Sequence, residues 1–133
     1  MLLIMNTECP FCTVSQDQIL IANKHCLAFP DSFPISHGHT LIIPIHHVAS
    51  IFELSGEERS SIWQLVEQVR NQLANSLHPD GFNIGLNDGT AAGQTIGHAH
   101  VHVIPRYKDD VADPRGGIRW IMPEKARYWN DSQ

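Results

Sequence analysis

The chain has 133 residues, of which 42% are hydrophobic and 17% are charged, and its formal net charge is −5 with the histidines neutral. This length and composition fit one globular domain with its own hydrophobic core. The nine lysine and arginine residues are too few for a surface that binds nucleic acid through its phosphates. No apolar run reaches the roughly 18 residues of a membrane-spanning helix. We therefore expect a single domain over residues 1–133 that binds neither nucleic acid nor a membrane.

The N-terminal residues 1–5 are apolar, but this run is shorter than the core of a signal peptide and has no basic flank. Export is therefore not predicted, and the cytoplasm is the expected location. Cys9 and Cys12 follow as a Cys-x-x-Cys pair. In a reducing compartment such a pair indicates metal binding or redox chemistry, although it also occurs as two plain thiols. The third cysteine, Cys26, is expected to be a buried strand residue.

The first half of the chain predicts three short strands. Residues 19–29 carry two apolar stretches that are separated by Asn23 and Lys24, a pattern typical of a β-hairpin. Residues 41–43 are apolar and β-branched or long, and Pro44 follows them. This run predicts a third strand, short and buried.

A long helix and two further strands complete the predicted fold. Ser55 and Glu58 have the spacing of a capping box, and apolar side chains then recur at helical spacing, which predicts an amphipathic helix from about residue 56 to residue 77. Residues 82–86 are the next strand, and residues 98–104 the last. This order predicts an α+β domain in which one long helix accompanies a five-stranded antiparallel sheet.

The last predicted strand carries the strongest functional signal. Its residues are His98-Ala99-His100-Val101-His102-Val103-Ile104, and this alternation is typical of a half-buried strand with the imidazoles on one face. The glycine-rich loop 87–97 precedes it, and glycines allow backbone N–H groups to turn toward a phosphate. A donor-rich loop beside a row of imidazoles suits phosphoryl chemistry on a nucleotide. The alternative is three surface histidines on a solvated sheet face.

These residues resemble the signature of the histidine-triad (HIT) family of nucleotide hydrolases and transferases. Gly93-Gln94-Thr95 before the histidines, Ile104-Pro105-Arg106 after them and the tail sequence Asp113-Pro114-Arg115-Gly116-Gly117 are similar to the bacterial, diadenosine polyphosphate hydrolase-like branch. The resemblance runs from Cys9 to about Tyr107. It implies a HIT-like fold, a small-molecule nucleotide substrate and assembly as a homodimer.

The resemblance also implies roles for individual residues. His100 would be the nucleophile that attacks the α-phosphorus, giving a nucleotidyl-histidine that water then hydrolyses. His102 would contact the phosphate and help to protonate the leaving group, and backbone N–H groups around Gly93 would face the phosphate oxygens. Asp31 would accept hydrogen bonds from the ribose hydroxyls, although without the family it reads equally well as a turn residue before Pro34. The other implied substrate-site residues are His39, Asn87, Gly93, Gln94 and Thr95.

A metal site is implied in the same way. Some members of the family hold a zinc ion at the place of Cys9, Cys12, His47 and His98, so these four residues are the expected ligands of a structural Zn²⁺. The spacing of the residues alone leaves open a reduced cysteine pair without metal. A Mg²⁺ ion that bridges the oxygens of the substrate is a further expectation, although no cluster of carboxylates in the sequence requires one.

Three functions compete at this point. The first is hydrolysis of dinucleoside polyphosphates such as diadenosine tetraphosphate, and the second is hydrolysis of nucleoside phosphoramidates to AMP and an amine. The third is a nucleotide-binding module without catalysis, which the presence of His100 disfavours. A C-terminal tail begins at about residue 109 and is rich in arginine and aromatic residues. These side chains either bind a base or distal phosphates, or pack across a dimer partner.

Overall fold

The structure, a computed structural model, describes residues 8–131. The N-terminal residues 1–5, for which no export is predicted, lie outside the described residues. Five strands and one α-helix form the framework: β1 (Ile21–Ala22), β2 (Cys26–Pro30), β3 (Thr40–Pro44), α1 (Gly56–Leu77), β4 (Gly81–Gly85) and β5 (Val101–Arg106). Short 3-10 helices lie between them, at Gln16–Gln18, Ile51–Glu53 and Thr90–Ala92, and in the C-terminal tail at Gly117–Ile121 and Pro123–Lys125.

The strands form one antiparallel sheet in the order β1-β2-β3-β5-β4. The predicted α+β class, with one long helix on a five-stranded antiparallel sheet, is confirmed. The hairpin predicted for residues 19–29 is present as β1 and β2. The Asn23 side chain closes its turn by accepting hydrogen bonds from the N–H groups of His25 and Cys26, as asparagine commonly does in turns. β4 lies at one edge of the sheet, and the homodimer stays a prediction.

Helix α1 has the predicted start and end. Ser55 accepts a hydrogen bond from the Glu58 N–H at 3.1 Å, and the Glu58 carboxylate accepts one from the Ser55 N–H at 3.2 Å, which is the predicted capping box. At the other end His78 adopts a left-handed conformation, with a φ of 50°, and this ends the helix before Pro79. Within residues 8–131, no helix is both long enough and apolar enough to cross a membrane.

The main core lies between α1 and one face of the sheet. The buried side chains of α1 pack against the inward-facing residues of β2, β3 and β5, among which Cys26 has the predicted burial in a strand. The helix contributes Ile62, Leu65, Val66 and Val69, and the strands contribute Cys26, Ala28, Ile42, Val101 and Val103. Burial of such apolar surface is the main source of folding free energy.

The opposite face of the sheet carries a smaller buried cluster of Phe29, Leu41 and Ile43 beside the outward-facing side chains of β5. Along β5 the side chains alternate between buried and half-buried, so His102 and Ile104 lie on the face away from α1. Leu41 of β3 lies directly opposite His102. Gly85 of β4 lies opposite it on the other side. His102 is thus central in the sheet, with a neighbouring strand on both sides.

One strand boundary differs from the expectation. The histidine-bearing strand was expected over residues 98–104, but β5 begins at Val101. The Ala99 N–H donates to the Val48 carbonyl at 2.7 Å, outside the sheet ladder, and the His98 ring bonds to the Pro44 carbonyl at 2.8 Å. These tertiary partners hold the segment before Val101 out of the sheet, so the three histidines do not form one uniform row.

The turn between β2 and β3 depends on Gly38. Its φ is +94°, and a Cβ at this position would lie 2.5 Å from Leu77 Cδ1 and 3.1 Å from Pro105 Cγ. The positive φ requires glycine, and a side chain here would also force the Leu77 side chain to move. This turn leads directly into His39 and fixes where that ring lies.

The variant Gly38→Ala should therefore lower the free energy of unfolding by about 1–3 kcal/mol, as measured by urea denaturation. Gly56→Ala is the matched control, because that helical glycine has no heavy atom within 4 Å of an added Cβ and alanine favours helix. Equal stability of the two variants would show that the turn tolerates a side chain.

Candidate active site and metal site

A cavity of about 1150 Å³ lies on the sheet face away from α1. Of the eight predicted catalytic and substrate-site residues, seven line this cavity and one, Gln94, does not. The seven are Asp31, His39, Asn87, Gly93, Thr95, His100 and His102. The structure thus brings together residues that are up to 71 positions apart in the sequence, Asp31 and His102 being the outermost.

The ring of His100 is held by the backbone. Its Nδ1 lies 2.8 Å from the carbonyl oxygen of His98, and because a carbonyl only accepts, the ring proton resides on Nδ1. The other nitrogen, Nε2, then keeps its lone pair. The ring is 8% exposed, and Phe11 contacts it edge-on at a centroid distance of 5.1 Å. His100 is therefore an oriented imidazole whose neutral form keeps its proton on Nδ1 and its lone pair on Nε2.

His102 is held by another side chain. The N–H of Ile35 donates to His39 Nδ1 at 3.2 Å, so a neutral His39 carries its proton on Nε2. That Nε2–H donates to His102 Nδ1 at 2.9 Å. His102 must then carry its own proton on Nε2. The two catalytic candidates have opposite character, because His100 offers a lone pair and His102 offers an N–H donor.

Asp31 completes this group. One carboxylate oxygen accepts the Phe33 N–H at 2.8 Å, which is the turn-forming role left open by the sequence. The other oxygen lies 3.4 Å from His39 Nε2 and 4.0 Å from His102 Nδ1. Asp31 both opens the turn and lines the cavity, so the two readings are compatible.

We call the hydrogen-bonded series Ile35 N–H, His39 and His102 the relay. Burial favours the neutral form of both of its histidines. Desolvation is the main cause that lowers the pKa of His102, and the neighbouring His100 and His39 lower it further. Burial also lowers the pKa of His39, while the nearby Asp31 carboxylate opposes this effect. Neutral rings are what the chain of hydrogen bonds from Ile35 to His102 requires.

Gln94, which is predicted to contact the substrate, is not among the residues that line the cavity, and its substrate contact stays a prediction. Its side-chain oxygen accepts the Gly89 N–H at 2.9 Å, and its amide nitrogen donates to the carbonyls of Ala49 and Ile96 at 2.8 and 3.0 Å. These bonds use the side chain within the protein. Gln94 fixes the loop 87–97, and the cavity lies against its neighbours Gly93 and Thr95.

The backbone amides around Gly93 also bond within the protein. The N–H of Gly93 donates to the Thr90 carbonyl at 3.0 Å, and those of Ala92 and Gln94 donate to the Gly89 carbonyl at 3.0 and 3.1 Å. These three amides close a turn within the loop, and the prediction that donors around Gly93 face a phosphate stays a prediction. The sequence shows that donors are present, but it does not show which acceptors inside the loop they reach.

A second cluster lies beside the cavity. Cys9, Cys12, His47 and His98 each place one ligand atom within 4.8 Å of the others. Cys9 Sγ lies 3.5 Å from His98 Nδ1, Cys12 Sγ lies 3.1 Å from His47 Nδ1, and the two Nδ1 atoms are 3.1 Å apart. The four residues predicted as metal ligands are thus in one place.

The ligand types and spacing of this cluster fit a metal ion with tetrahedral coordination. Bond lengths near 2.0 Å to nitrogen and 2.3 Å to sulfur put neighbouring ligand atoms roughly 3.3–3.8 Å apart, close to the observed spacing. His98 Nε2 bonds to the Pro44 carbonyl at 2.8 Å, so its proton resides there and Nδ1 presents a lone pair to the cluster. Two thiols and two imidazoles are a typical zinc ligand set.

Several cavity residues were not predicted from the sequence. Phe11 lies between the rings of His98 and His100, and its position between the two cysteines was the only signal. Ile118, Trp120 and Ile121 of the C-terminal tail also line the cavity. No periodicity in the tail indicates which of its side chains face inward. His37, two residues before His39, is exposed and lies outside the cavity lining.

Comparison with known proteins gives one family. A family model described as HIT domain matches residues 13–109. An adenosine 5'-monophosphoramidase from Schizosaccharomyces pombe is 33% identical over 128 residues, which is 90% of this chain and 91% of the relative. The asymmetrical bis(5'-nucleosyl)-tetraphosphatase of the same organism is 35% identical over 96 residues, or 72% of this chain and 53% of the relative.

A solved structure extends the likeness to the fold. A Zn-bound histidine triad family protein from Mycobacterium smegmatis superposes with a TM-score of 0.70 at 30% identity, covering 79% of each chain. The matched family region ends at residue 109, so most of the C-terminal tail lies beyond it.

The neutral state of His39 gives a testable pH dependence. In the unfolded chain this histidine has a pKa near 6.5, whereas burial lowers it in the folded protein. As the pH falls below 6.5, the unfolded state therefore binds more protons than the folded state, and the free energy of unfolding falls. The contribution is fully present above that pH and is lost toward the lower, folded pKa. His39→Gln should reduce this slope between pH 7.5 and 5.5 in urea titrations.

The exposed neighbour supplies the control for this measurement. His37→Gln should leave the wild-type slope unchanged, because His37 lies outside the relay. A His39→Gln slope equal to that of the wild-type protein would contradict the neutral assignment.

Proposed function

Because the chain belongs to the HIT domain family, we propose that it is a nucleotide hydrolase that works through a covalent bond between His100 and the α-phosphorus. The observation that carries this proposal is the 2.8 Å hydrogen bond between His100 Nδ1–H and the His98 carbonyl. It fixes the tautomer in which Nε2 has a free electron pair, which a nucleophilic imidazole needs.

The proposed reaction has two displacements. His100 Nε2 attacks the α-phosphorus, and the bond from phosphorus to the leaving group breaks with its electron pair. His102 Nε2–H donates a hydrogen bond to the departing atom, and the hydrogen bond from His39 keeps that N–H on the correct nitrogen. The leaving group departs with its electron pair and takes any proton it needs from solvent water. A second water then attacks the phosphorus and loses one proton to solvent, the electron pair of the His100–phosphorus bond returns to Nε2, and a nucleoside monophosphate is released.

The remaining cavity residues have binding roles in this proposal. The Asp31 carboxylate accepts hydrogen bonds from the ribose hydroxyls, which suits an ionised group that accepts two donors. Thr95 and Asn87 offer neutral donors for the phosphate, and both line the cavity. His39 and Gln94 act through their neighbours, since one holds His102 and the other holds the loop.

For the substrate we favour dinucleoside polyphosphates of the diadenosine tetraphosphate type. The cavity of about 1150 Å³ is slightly above the roughly 300–1,000 Å³ of most small-molecule pockets, which supports a substrate larger than a mononucleotide. The name of the bis(5'-nucleosyl)-tetraphosphatase relative is in line with this choice. No set of oxygen ligands typical of Mg²⁺ is present among the metal-ligand clusters of residues 8–131. We therefore propose that a Mg²⁺ ion would be bound by the polyphosphate itself, whose negative charge it would offset.

A phosphoramidate is the second candidate, and the charge of the cavity favours it. Arg106 is the only lysine or arginine among the lining residues, and its guanidinium is bound by Asp110 at 2.8 Å. A long phosphate chain thus meets few unpaired cations, whereas a phosphoramidate has one phosphate. The S. pombe relative that spans 90% of this chain is named as a monophosphoramidase. Chromatography of the products from each substrate decides between the two candidates.

We further propose that the cluster of Cys9, Cys12, His47 and His98 binds a structural zinc ion. Its support is the donor set and the spacing of the four ligand atoms, together with the Zn-bound relative from M. smegmatis. A bound zinc ion would cross-link the segment before His100 to the N-terminal part of the chain. His98 would then be a ligand, and His100 and His102 would remain for the reaction.

The nucleophile is tested by His100→Ala. This variant should lose at least about 10³-fold in kcat/KM, because the covalent step has no substitute, while its affinity for AMP stays within about tenfold of the wild-type value. His37→Ala, an exposed residue outside the cavity lining, should retain wild-type turnover. Mass spectrometry of the wild-type protein with a slow substrate should show a nucleotidyl adduct on His100. Substantial turnover by His100→Ala would exclude the assignment, and AMP binding without turnover by the wild-type protein would favour the binding-module reading.

The zinc site is tested by Cys9→Ser. Elemental analysis should show loss of zinc together with a lower melting temperature, since metal binding contributes folding free energy. Cys26→Ala is the matched control, because Cys26 is fully buried in the core and its loss should lower the melting temperature without changing the zinc content. An unchanged zinc content in Cys9→Ser would remove Cys9 from the site.

A further inference from the structure

The C-terminal tail forms one wall of the active-site cavity although it lies beyond the matched family region. That region ends at residue 109, and the 3-10 helix Gly117–Ile121 follows it. Ile118, Trp120 and Ile121 of this helix line the same cavity as His100 and His102. We call these three side chains the tail wall. Their position raises the question of which part of a substrate they contact.

The tail wall is held in place by bonds within the tail itself. The Trp120 indole donates to the Arg115 carbonyl at 2.8 Å, and the guanidinium of Arg127 stacks on the Trp120 ring at 5.6 Å. Arg119 stacks on Tyr128 at 4.7 Å and donates to the Ala126 carbonyl at 3.0 Å. Such cation–π pairs stabilise and orient the rings. Arg119 and Arg127 therefore make contacts within the tail, which argues against a role for them in binding distal phosphates.

The carboxylates next to the tail wall are neutralised. Asp110 binds the Arg106 guanidinium through two hydrogen bonds of 2.8 Å, and Asp113 binds Arg115 at 3.0 Å. Ile118 and Ile121, in contrast, are 69% and 66% exposed. Ile118 and Ile121 therefore present apolar surface beside carboxylates that are already paired, and the Arg127 guanidinium covers part of the Trp120 ring. Apolar surface of this kind gains free energy when a ligand covers it.

The order of the strands shows where the tail wall lies relative to Asp31 and His102. Asp31 follows β2 and lies beside His102 on the β3 side, with its carboxylate 4.0 Å from His102 Nδ1. The tail wall lies on the β4 side, because a Cβ on Gly117 would come within 3.3 Å of the Asn83 side chain of β4. β5 runs between β3 and β4. The ribose site and the tail wall are thus on opposite sides of His102.

We propose that the tail wall binds the leaving group and selects for one with an aromatic body. This inference rests on the proposed function, because it needs Asp31 to hold the nucleoside and His100 to attack the phosphorus between the two. A flat aromatic group matches the exposed isoleucines and the Trp120 ring. It has two sources: the second base of a dinucleoside polyphosphate, or the ring of an aromatic amine in a phosphoramidate.

Three substrates that share the adenosine and the α-phosphate test this assignment. They are adenosine 5'-phosphoramidate, whose leaving group is small, the tryptamine phosphoramidate of AMP, and diadenosine tetraphosphate. In the double variant Ile118→Ala/Ile121→Ala, kcat/KM for an aromatic substrate should fall about 5- to 20-fold relative to kcat/KM for the small substrate. Met122→Ala is the matched control, since Met122 is 64% exposed in the same segment and does not line the cavity; its ratios should equal those of the wild-type protein.

Each outcome has one meaning. A fall confined to diadenosine tetraphosphate supports the proposal and identifies the second base, and a fall confined to the tryptamine substrate supports it and identifies the amine. A fall for both supports the shared aromatic chemistry. Ratios that stay at the wild-type values overturn the tail-wall proposal while the proposed function stands. If the wild-type protein cleaves none of the three substrates, the proposed function is wrong and the tail-wall assignment falls with it.

Discussion

His98 connects the two halves of the candidate site. Its Nε2–H is bonded to the Pro44 carbonyl, its Nδ1 lies among the cysteine and histidine ligand atoms, and its own carbonyl accepts the Nδ1–H of His100. The residue is 1% exposed, so water does not compete for these bonds. An unpaired polar group at such depth costs about 1–3 kcal/mol. The orientation of His100, the proposed nucleophile, therefore depends on a residue that does not itself line the cavity.

The same amino acid is given two chemical roles by two kinds of partner. His100 donates to a backbone carbonyl, which leaves a lone pair on Nε2, while His102 accepts from the His39 side chain, which leaves a proton on Nε2. A backbone partner has a fixed character, whereas an imidazole partner has the required character only while it stays neutral. Burial of His39 thus supports this hydrogen-bond pattern, because it favours the neutral ring. A second proton on that ring would make the N–H of Ile35 face another donor.

The parts of the structure that follow from local periodicity could be predicted from the sequence. The helical spacing after Ser55 and the alternation on β5 are properties of short segments, and both predict the elements that form. The start of β5 was missed because Ala99 and His98 bond to Val48 and Pro44, about 50 residues earlier. The position of Gln94 was missed for a similar reason, since its amide reaches Ala49. Of the side chains that line the cavity, His100 and His102 are indicated by the alternation itself, whereas Asp31, His39, Asn87 and Thr95 could be proposed only from the family resemblance. The composition of the tail, which lies beyond the family region, does not indicate which of its side chains line the cavity.

The charge of the chain limits how an anionic substrate can be held. The net charge is −5, and the one lining cation, Arg106, already binds Asp110. In the proposed function, the phosphate is held by neutral donors such as Thr95 and by the imidazole N–H of His102, each of which makes a weaker bond than a charge-assisted one. Further affinity has to come from apolar contact with the rest of the substrate. The cavity has neutral donors near His102 and exposed apolar side chains in the tail. In the proposed function, the donors orient the reacting phosphate and the apolar side chains bind the leaving group.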